Sequence, residues 1–298
     1  MMIRHKPELK TTSARCQKLL EKDSYLTPFQ PVILRRLNLI EQVAHTLTQG
    51  RMDLADFAAG HAYFGLQRQT GGWVFREWAP NATAIFLIGQ LTDWKEDKRF
   101  AMEKISSDGV WELHLPEASL THLDLYRLRI YWRGGWGDRI PTYAKRVVQD
   151  PDTHIFNAQV WMPSSGYRWR RPDFRRTTST LFIYEAHVGM AQEEPKIGSY
   201  REFEETILPR IVKMGYNTLQ LMAIPEHPYY GSFGYHVANF FAASSRFGTP
   251  TDLKRLIDTA HMAGLSVIMD LVHSHCVSNE IEGLSRFDGT EYQFFHEG

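Results

Sequence analysis

Residues Ile33, Leu37, Ile40, Ala44 and Leu47 recur at spacings of three and four, the apolar stripe of an amphipathic helix. Pro28 and Pro31 stand before the stripe and Gly50 after it, so the pattern predicts a helix over about 31–50. A shorter helical piece is expected over 52–59, stopped by Gly60. From about residue 63 to 161 the period changes to two. Trp73-Val-Phe-Arg-Glu-Trp78, Ala84-Ile-Phe-Leu-Ile88, Val110-Trp-Glu-Leu-His-Leu115 and Tyr126-Arg-Leu-Arg-Ile130 are short β-type runs, punctuated by Gly71-Gly72, Pro80-Asn81, Asp108-Gly109 and Gly134-Gly135. Regular short strands with turn residues between them predict an all-β sandwich over 61–162.

The stretch 163–180 is rich in Arg, Pro, Ser and Thr and reads as a linker. After it the texture is strand, helix, strand, helix, strand. An apolar run covers 181–188, and Ser199 with Glu202 forms a capping box ahead of Phe203, Ile207, Ile211 and Met214, closed by Gly215. Pro209 should bend that helix, because it removes an N–H and crowds the preceding turn. A second strand is expected over 217–224, followed by a long loop to Gly248. Thr249-Pro-Thr-Asp252 then opens another helix, with Leu253, Leu256, Ile257, Ala260 and Ala263 inward and Gly264 at its end. A third strand over 265–272 completes the βα repeat of a parallel sheet. The expected division is a helical segment 1–60, a sandwich 61–162, a linker 163–180 and a parallel-sheet region 181–298.

Composition narrows the chemistry. The 298 residues are 43% hydrophobic, enough to build a core, and Lys+Arg equals Asp+Glu at 34 each. Nucleic acid is not an expected partner, since binding it needs a concentrated basic surface. The only basic cluster, Arg168 to Arg171 with Arg175-Arg176, is expected to be a solvated linker. Cys16 and Cys276 lie far apart with no framework spacing, which fits a reduced, cytoplasmic setting. Residues 1–10 carry charges but no apolar h-region, and no apolar run is long enough for a bilayer, so no membrane association is expected.

The candidate chemistry lies where the third strand meets a loop, in Asp270-Leu-Val-His-Ser-His275. Side chains at the C-terminal ends of parallel strands are where α/β folds place ligands. On residue type alone, Glu226 and Asp270 could be the carboxyl pair of a glycosidase, both standing at predicted strand ends. His273, His275 and Cys276 lie close together but lack the spacing of a closed zinc site, so no metal is expected and no cofactor is called for. Among the sandwich tryptophans Trp78, Trp94, Trp111 and Trp136, Trp94 is the best candidate for an exposed stacking surface because it stands beside Asp93 in a probable-turn sequence.

Several long segments carry a resemblance. Tyr184-Glu-Ala-His-Val-Gly189, Glu194-Pro-Lys-Ile-Gly-Ser-Tyr200, Glu226-His-Pro-Tyr-Tyr-Gly-Ser-Phe-Gly-Tyr-His236, Ser244-Ser-Arg-Phe-Gly-Thr-Pro250 and Asp270–His275 resemble the 1,4-α-glucan (glycogen or starch) branching enzymes of the α-amylase superfamily. Phe75-Arg-Glu-Trp-Ala-Pro80, Ile88–Trp94 and Gly109–Leu113 resemble the glycogen-binding-type, immunoglobulin-like sandwich that precedes the catalytic barrel there. The resemblance runs from about Asp23 onward. It implies that 181–298 holds the first three βα units of an incomplete (β/α)8 barrel. The family's nucleophilic Asp and general-acid Glu have no counterpart here and would lie beyond Gly298, so the chain itself is expected to be inactive. Neither Glu226 nor Asp270 falls at those two positions.

By the same resemblance, Tyr235 would stack on the sugar at the cleavage subsite, Asp270 would shape that subsite, and His275 would hydrogen-bond the sugar. A neutral imidazole can do this without adding charge beside an oxocarbenium. His273 would be a scaffold residue with a possible subsite contact. The expected partner is an α-glucan such as glycogen, amylose or amylopectin. Two other readings stay open: a debranching, isoamylase-type α-glucan hydrolase, and a non-catalytic glucan-binding fragment.

Overall fold

A computed structural model describes residues 11–176 and 180–296. The charged N-terminal stretch 1–10, residues 177–179 of the expected linker and residues 297–298 lie outside the described residues. The chain divides into two compact units, Met1–Gly60 and His61–Gly298.

In the first unit, α1 (Thr12–Lys22) is capped by the Thr11 hydroxyl, which accepts from the Ala14 N–H at 3.3 Å. Helix α2 (Gln30–Thr48) carries Pro31 in its first turn, where the missing N–H costs nothing, and gives way to left-handed Gln49 and Gly50. This is the helix that the three-and-four spacing predicts. Arg15 of α1 pairs with Glu41 of α2 at 3.3 Å, and Cys16 is buried. The shorter piece is a single turn, α3 (Leu54–Phe57), with a reciprocal Asp53–Asp56 capping box. One more turn, α4 (Gly60–Tyr63), leads into the second unit.

There, β1 (Gly65–Gln69), β2 (Gly72–Trp78), β3 (Ala82–Gly89), β4 (Glu103–Lys104), β5 (Val110–Pro116), β6 (Leu125–Trp132), β7 (Gly135–Arg139), β8 (Val147–Gln149) and β9 (Phe156–Gln159) form two antiparallel sheets. Their orders are β1-β2-β5-β4 and β3-β6-β9-β8, with β7 also paired to β6, along Leu128–Trp132. Alternation puts Trp73, Phe75, Leu113 and Leu115 of one sheet into the same core as Ile85, Leu87, Leu128 and Ile130 of the other. The four runs of period two all became strands. The shorter β1, β4, β7, β8 and β9 have too few apolar positions for a period to be legible. Gly109, at φ +89, closes the turn before β5, and a Cβ there would overlap Pro80.

The segment read as a solvated linker is partly anchored, which corrects that expectation. Asp258, fully buried, accepts from the Tyr167 hydroxyl at 2.9 Å, the Arg170 N–H at 3.0 Å and the Arg170 Nε at 3.0 Å. Arg171 donates to the His261 carbonyl at 2.8 Å, and the Phe174 ring lies 4.1 Å from that of His261 at 3°. Composition marks this stretch as loop but is blind to a buried carboxylate some 90 residues away.

Strands β10 (Ile183–Ala186), β11 (Thr218–Leu221) and β14 (Ser266–Met269) make a parallel sheet in that order, with helices between them. The first connection is α5 (Tyr200–Glu202), a π-helical turn Phe203–Ile207 and α6 (Leu208–Lys213). Pro209 has no N–H to continue the regular ladder, and the Leu208 N–H reaches the Phe203 carbonyl instead. The second is α7 (Pro250–Met262), capped reciprocally by Thr249 and Asp252. The stretch 225–248, expected to be a loop throughout, contains a small antiparallel pair, β12 (Pro225–Glu226) and β13 (Asn239–Ala243). Its β12 is only two residues long and bulged, which left no alternation to read. The third strand is also shorter than expected, because the chain leaves the sheet at Asp270.

Candidate functional site

The parallel sheet has two unlike faces. Leu219 and Leu221 pack with Ala186, Phe203, Leu208, Ile211, Leu256 and Ala260 in a buried core under the helices. The alternate positions, Ile183, Glu185, Gln220, Ile268 and Asp270, stand on the opposite face, where Ile183 and Ile268 are exposed. Register puts Glu185 beside Gln220 and Gln220 beside Ile268, with the Asp270 N–H bonded to the Leu221 carbonyl at 3.1 Å. The Gln220 amide is thus held between two acids. Its Nε2 donates to Glu185 Oε1 at 3.1 Å and to Asp270 Oδ1 at 3.0 Å.

A fourth group joins from the loop before β13. Phe233 and Gly234 both have positive φ, and a Cβ at Gly234 would overlap the Ala223 carbonyl, so glycine permits the reversal that delivers Tyr235. The Tyr235 side chain stands near the Asp270 carboxylate. Burial pushes the tyrosine pKa up, and the charges of Asp270 and Glu185 push in the same direction. Asp270, Gln220 and Glu185 form one connected polar group at the C-terminal end of the strands, with Tyr235 beside it. It offers an aromatic ring, two carboxylates and an amide, the equipment for gripping the hydroxyls and the apolar ring face of a neutral sugar. Glu185 and Asp270 are poor candidates for nucleophile and acid, since the space between them is filled by the amide that bonds both.

Glu226 is excluded from chemistry by its surroundings. At 1% exposure it accepts from the Ser245 N–H at 2.7 Å, the Ser244 hydroxyl at 3.1 Å and its neighbour's N–H at 3.1 Å, and it pairs with Arg246 at 3.5 Å. Burial pushes its carboxyl up, opposed by the Ser245 hydrogen bonds and the Arg246 charge. Arg246 also donates to the Pro228 carbonyl at 2.7 Å and to the His227 carbonyl, which staples the start of the Tyr235 loop. Beside it, His187 and His227 are buried. Burial lowers the pKa of both, that of His227 to about 4, so both imidazoles are neutral at neutral pH. His187 meets the rings of Tyr230, Phe233 and Phe247 edge-on at 5.4–5.8 Å.

Of the residues singled out from sequence, Tyr235 and Asp270 come together. His275 does not join them: it is exposed, with Nδ1 2.7 Å from the Ser274 hydroxyl. His273 stacks on Phe240, rings 5.7 Å apart at 10°. Trp94 is on the sandwich, 37% exposed, with a positive φ. Trp136, at 55%, is more open; Arg129 lies 4.7 Å over its ring and Tyr131 6.2 Å away. Glu96, two residues after Trp94, accepts from Arg129 at 3.4 Å and from the Tyr131 hydroxyl, tying the Trp94 loop to the Trp136 neighbourhood. Trp111 is core, donating to the Ala79 carbonyl at 2.9 Å, and Trp78 is half-buried with its N–H on the Asp108 carbonyl at 2.8 Å. Neither belongs to an open stacking surface. Sequence reasoning missed Gln220 and Glu185. The available signal was polar residues on the one strand face where apolar ones were otherwise expected.

Comparison with known proteins gives the site a context. Residues 63–151 match carbohydrate-binding module 48 (isoamylase N-terminal domain), and residues 206–295 match the alpha amylase catalytic domain. The chain is 44% identical over 283 residues to a 1,4-alpha-glucan-branching enzyme of Rhizophagus irregularis, covering 93% of this chain and 41% of that protein. It is 39% identical to one from Dictyostelium discoideum and 40% identical to one from Equus caballus, covering 94% of this chain and 42% and 41% of theirs. The chain thus spans about two fifths of the length of these curated relatives. Among solved structures, the pullulanase of Bacillus acidopullulyticus superposes with a TM-score of 0.61 at 20% identity, covering 78% of this chain and 32% of that one. A pullulanase variant of Paenibacillus barengoltzii in complex with maltotriose gives 0.59 at 23%, covering 78% and 42%. At such identities these likenesses speak for the fold alone.

Proposed function

From the premise of a chain related along nearly its whole length to the N-terminal portion of 1,4-alpha-glucan-branching enzymes, we propose that the full-length protein is such an enzyme. It cleaves an α-1,4 link in an α-glucan and re-forms it as an α-1,6 branch. The observation that carries the reading is the Asp270 carboxylate held at the strand ends by the Gln220 amide at 3.0 Å, with Tyr235 near it, within a segment matched to the amylase catalytic domain. In this reading residues 61–162 are an immunoglobulin-like glucan-binding module. Residues 163–180 connect it to 181–298, the first three βα units of a (β/α)8 barrel, whose interior is the face bearing Gln220 and Asp270.

Tyr235 stacks on the sugar at the cleavage subsite and Asp270 accepts from its hydroxyls, with His275 and His273 placed on the adjoining loop. The reacting carboxyls come from later strands of the complete barrel. One protonates the departing 4-hydroxyl while the other bonds to C1; the first then takes the proton of an incoming 6-hydroxyl as that oxygen displaces the second. No metal or cofactor takes part in these steps. Trp94 and Trp136 offer the module a neutral stacking surface for glycogen, amylose or amylopectin. No described helix is long and apolar enough to cross a membrane, and both cysteines are free, consistent with a reduced compartment such as the cytoplasm.

Incubating the full-length protein with amylose tests the reading. Iodine absorbance should fall as α-1,6 links appear, with little gain of reducing ends. Reducing ends released without new branches would instead mark a hydrolase. The 298-residue chain should show neither change, and migration unretarded by glycogen in native gels would remove the glucan-binding surface from the proposal.

A further inference from the structure

We infer that Gln220 is a positioning residue for the sugar subsite: its side-chain amide, lodged between Glu185 and Asp270, sets the orientation in which Asp270 meets Tyr235. The inference rests on the proposed function for its consequence, but not for its geometry. Gln220 stands on the middle strand of the three, with Glu185 on one neighbour and Asp270 at the end of the other. An amide nitrogen has two hydrogens, and both are committed, at 3.1 Å to Glu185 and 3.0 Å to Asp270. Asp270 is partly exposed, and its backbone has just left the sheet, so strand pairing alone does not fix its side chain. The Gln220 amide holds it from the sheet side, and Tyr235 stands near it on the loop side.

The residue type matters as much as the place. An apolar residue would fill the same space yet leave two carboxylates on the outer strands with no donor between them, and their repulsion would turn Asp270 outward. A carboxylate at 220 would add a third negative charge to the row. Glutamine alone of the common side chains of this size supplies two donors without charge. The strand positions paired with Gln220 are Glu185 and Ile268.

The test uses Gln220→Met, which keeps the length and removes the donors, and Gln220→Glu, which keeps the shape and adds an acid. In crystal structures of the 298-residue chain, Gln220→Met should turn the Asp270 carboxylate away from its wild-type orientation with the strands unmoved. In the full-length protein, the same change should lower kcat by about tenfold to a hundredfold, as misplacement of a substrate-contacting group does, while KM changes less than twofold. Gln220→Glu should show a comparable loss at neutral pH and recover part of it as the medium is acidified and the added acid gains a proton to donate. That recovery is not expected of a residue that only packs. An Asp270 carboxylate in its wild-type orientation in the Met variant, or wild-type kcat in that variant, overturns the inference. A wild-type protein with no transfer activity overturns the proposed function instead, and the crystal structures still decide the role of Gln220.

Discussion

The two sheets of the sandwich and the three-stranded parallel sheet belong to one compact unit, yet they treat their faces differently. In the sandwich each sheet turns its apolar rows toward the other, so Phe75 and Leu128 are fully buried by residues of the opposite sheet. In the parallel sheet one face is sealed under α6 and α7, while the other leaves Ile183 and Ile268 exposed beside a connected row of polar groups. The difference separates what a strand does for stability from what it does for binding. A face spent on packing has no free donors, and a face with free donors contributes little to packing.

The sharpest way to break that contrast is to truncate an apolar side chain on each kind of face. Phe75→Ala should cost about 4 kcal/mol, because a fully buried aromatic leaves a cavity its neighbours only partly fill. Denaturant unfolding monitored by tryptophan fluorescence measures it, and a loss below about 1 kcal/mol would mean that the sandwich core is plastic. Asp258→Asn comes next, at roughly 3 kcal/mol, since the Tyr167 hydroxyl and the Arg170 and Arg171 N–H groups lose a charged acceptor inside the fold. Protease cleavage between residues 163 and 180 should become several times faster; an unchanged rate would show that Asp258 does not anchor the strand-to-module connection.

Glu77 provides a pH-dependent version of the same comparison. It is fully buried in the sandwich, accepting from the Thr142 hydroxyl at 2.5 Å, the Thr142 N–H at 2.9 Å and the Trp78 N–H at 3.0 Å, and burial pushes its carboxyl up from 4.5 to about 7. A folded-state pKa above the unfolded one means protons bind more tightly to the folded form. The associated stability is complete below about pH 4.5 and is lost as pH rises through about 7. The difference over that window is on the order of 3 kcal/mol. Glu77→Gln should therefore flatten the pH profile of unfolding between those limits, and a variant with the wild-type slope would assign the slope to other groups. The smallest effect is expected on the open face. Ile268→Ser should change stability by no more than about 0.5 kcal/mol and reduce self-association seen in light scattering; a loss as large as that at Phe75 would show that this face is covered after all.

Sequence periodicity made the long elements legible. Helix α2 follows its three-and-four stripe, and β2, β3, β5 and β6 follow alternation, because each has enough apolar positions to define a face. The caps at Ser199 and Thr249 were legible for a related reason, as the interacting residues are three apart. What escaped was non-local. Asp258 joins residues some 90 positions earlier, and β12 with β13 pairs across a bulge too short for any pattern. At the candidate site the motif pointed to Tyr235 and Asp270, whose proximity lies in the fold. Gln220 and Glu185 left only a weak trace, polar residues inside short apolar runs, whose meaning shows once the partner strands are in place. His275 illustrates the reverse: sequence places it five residues from Asp270, but the turn after Asp270 sends it to Ser274.

The anchoring of residues 167–174 along α7 has a mechanical implication. The stretch 163–180 is thus not what limits the sandwich: Asn81 bonds Asp288 at 3.0 Å, Arg139 bonds Glu280 at 3.1 Å, and Leu284 and Phe287 lie in the sandwich core, so the two parts are clamped to each other as well as joined end to end.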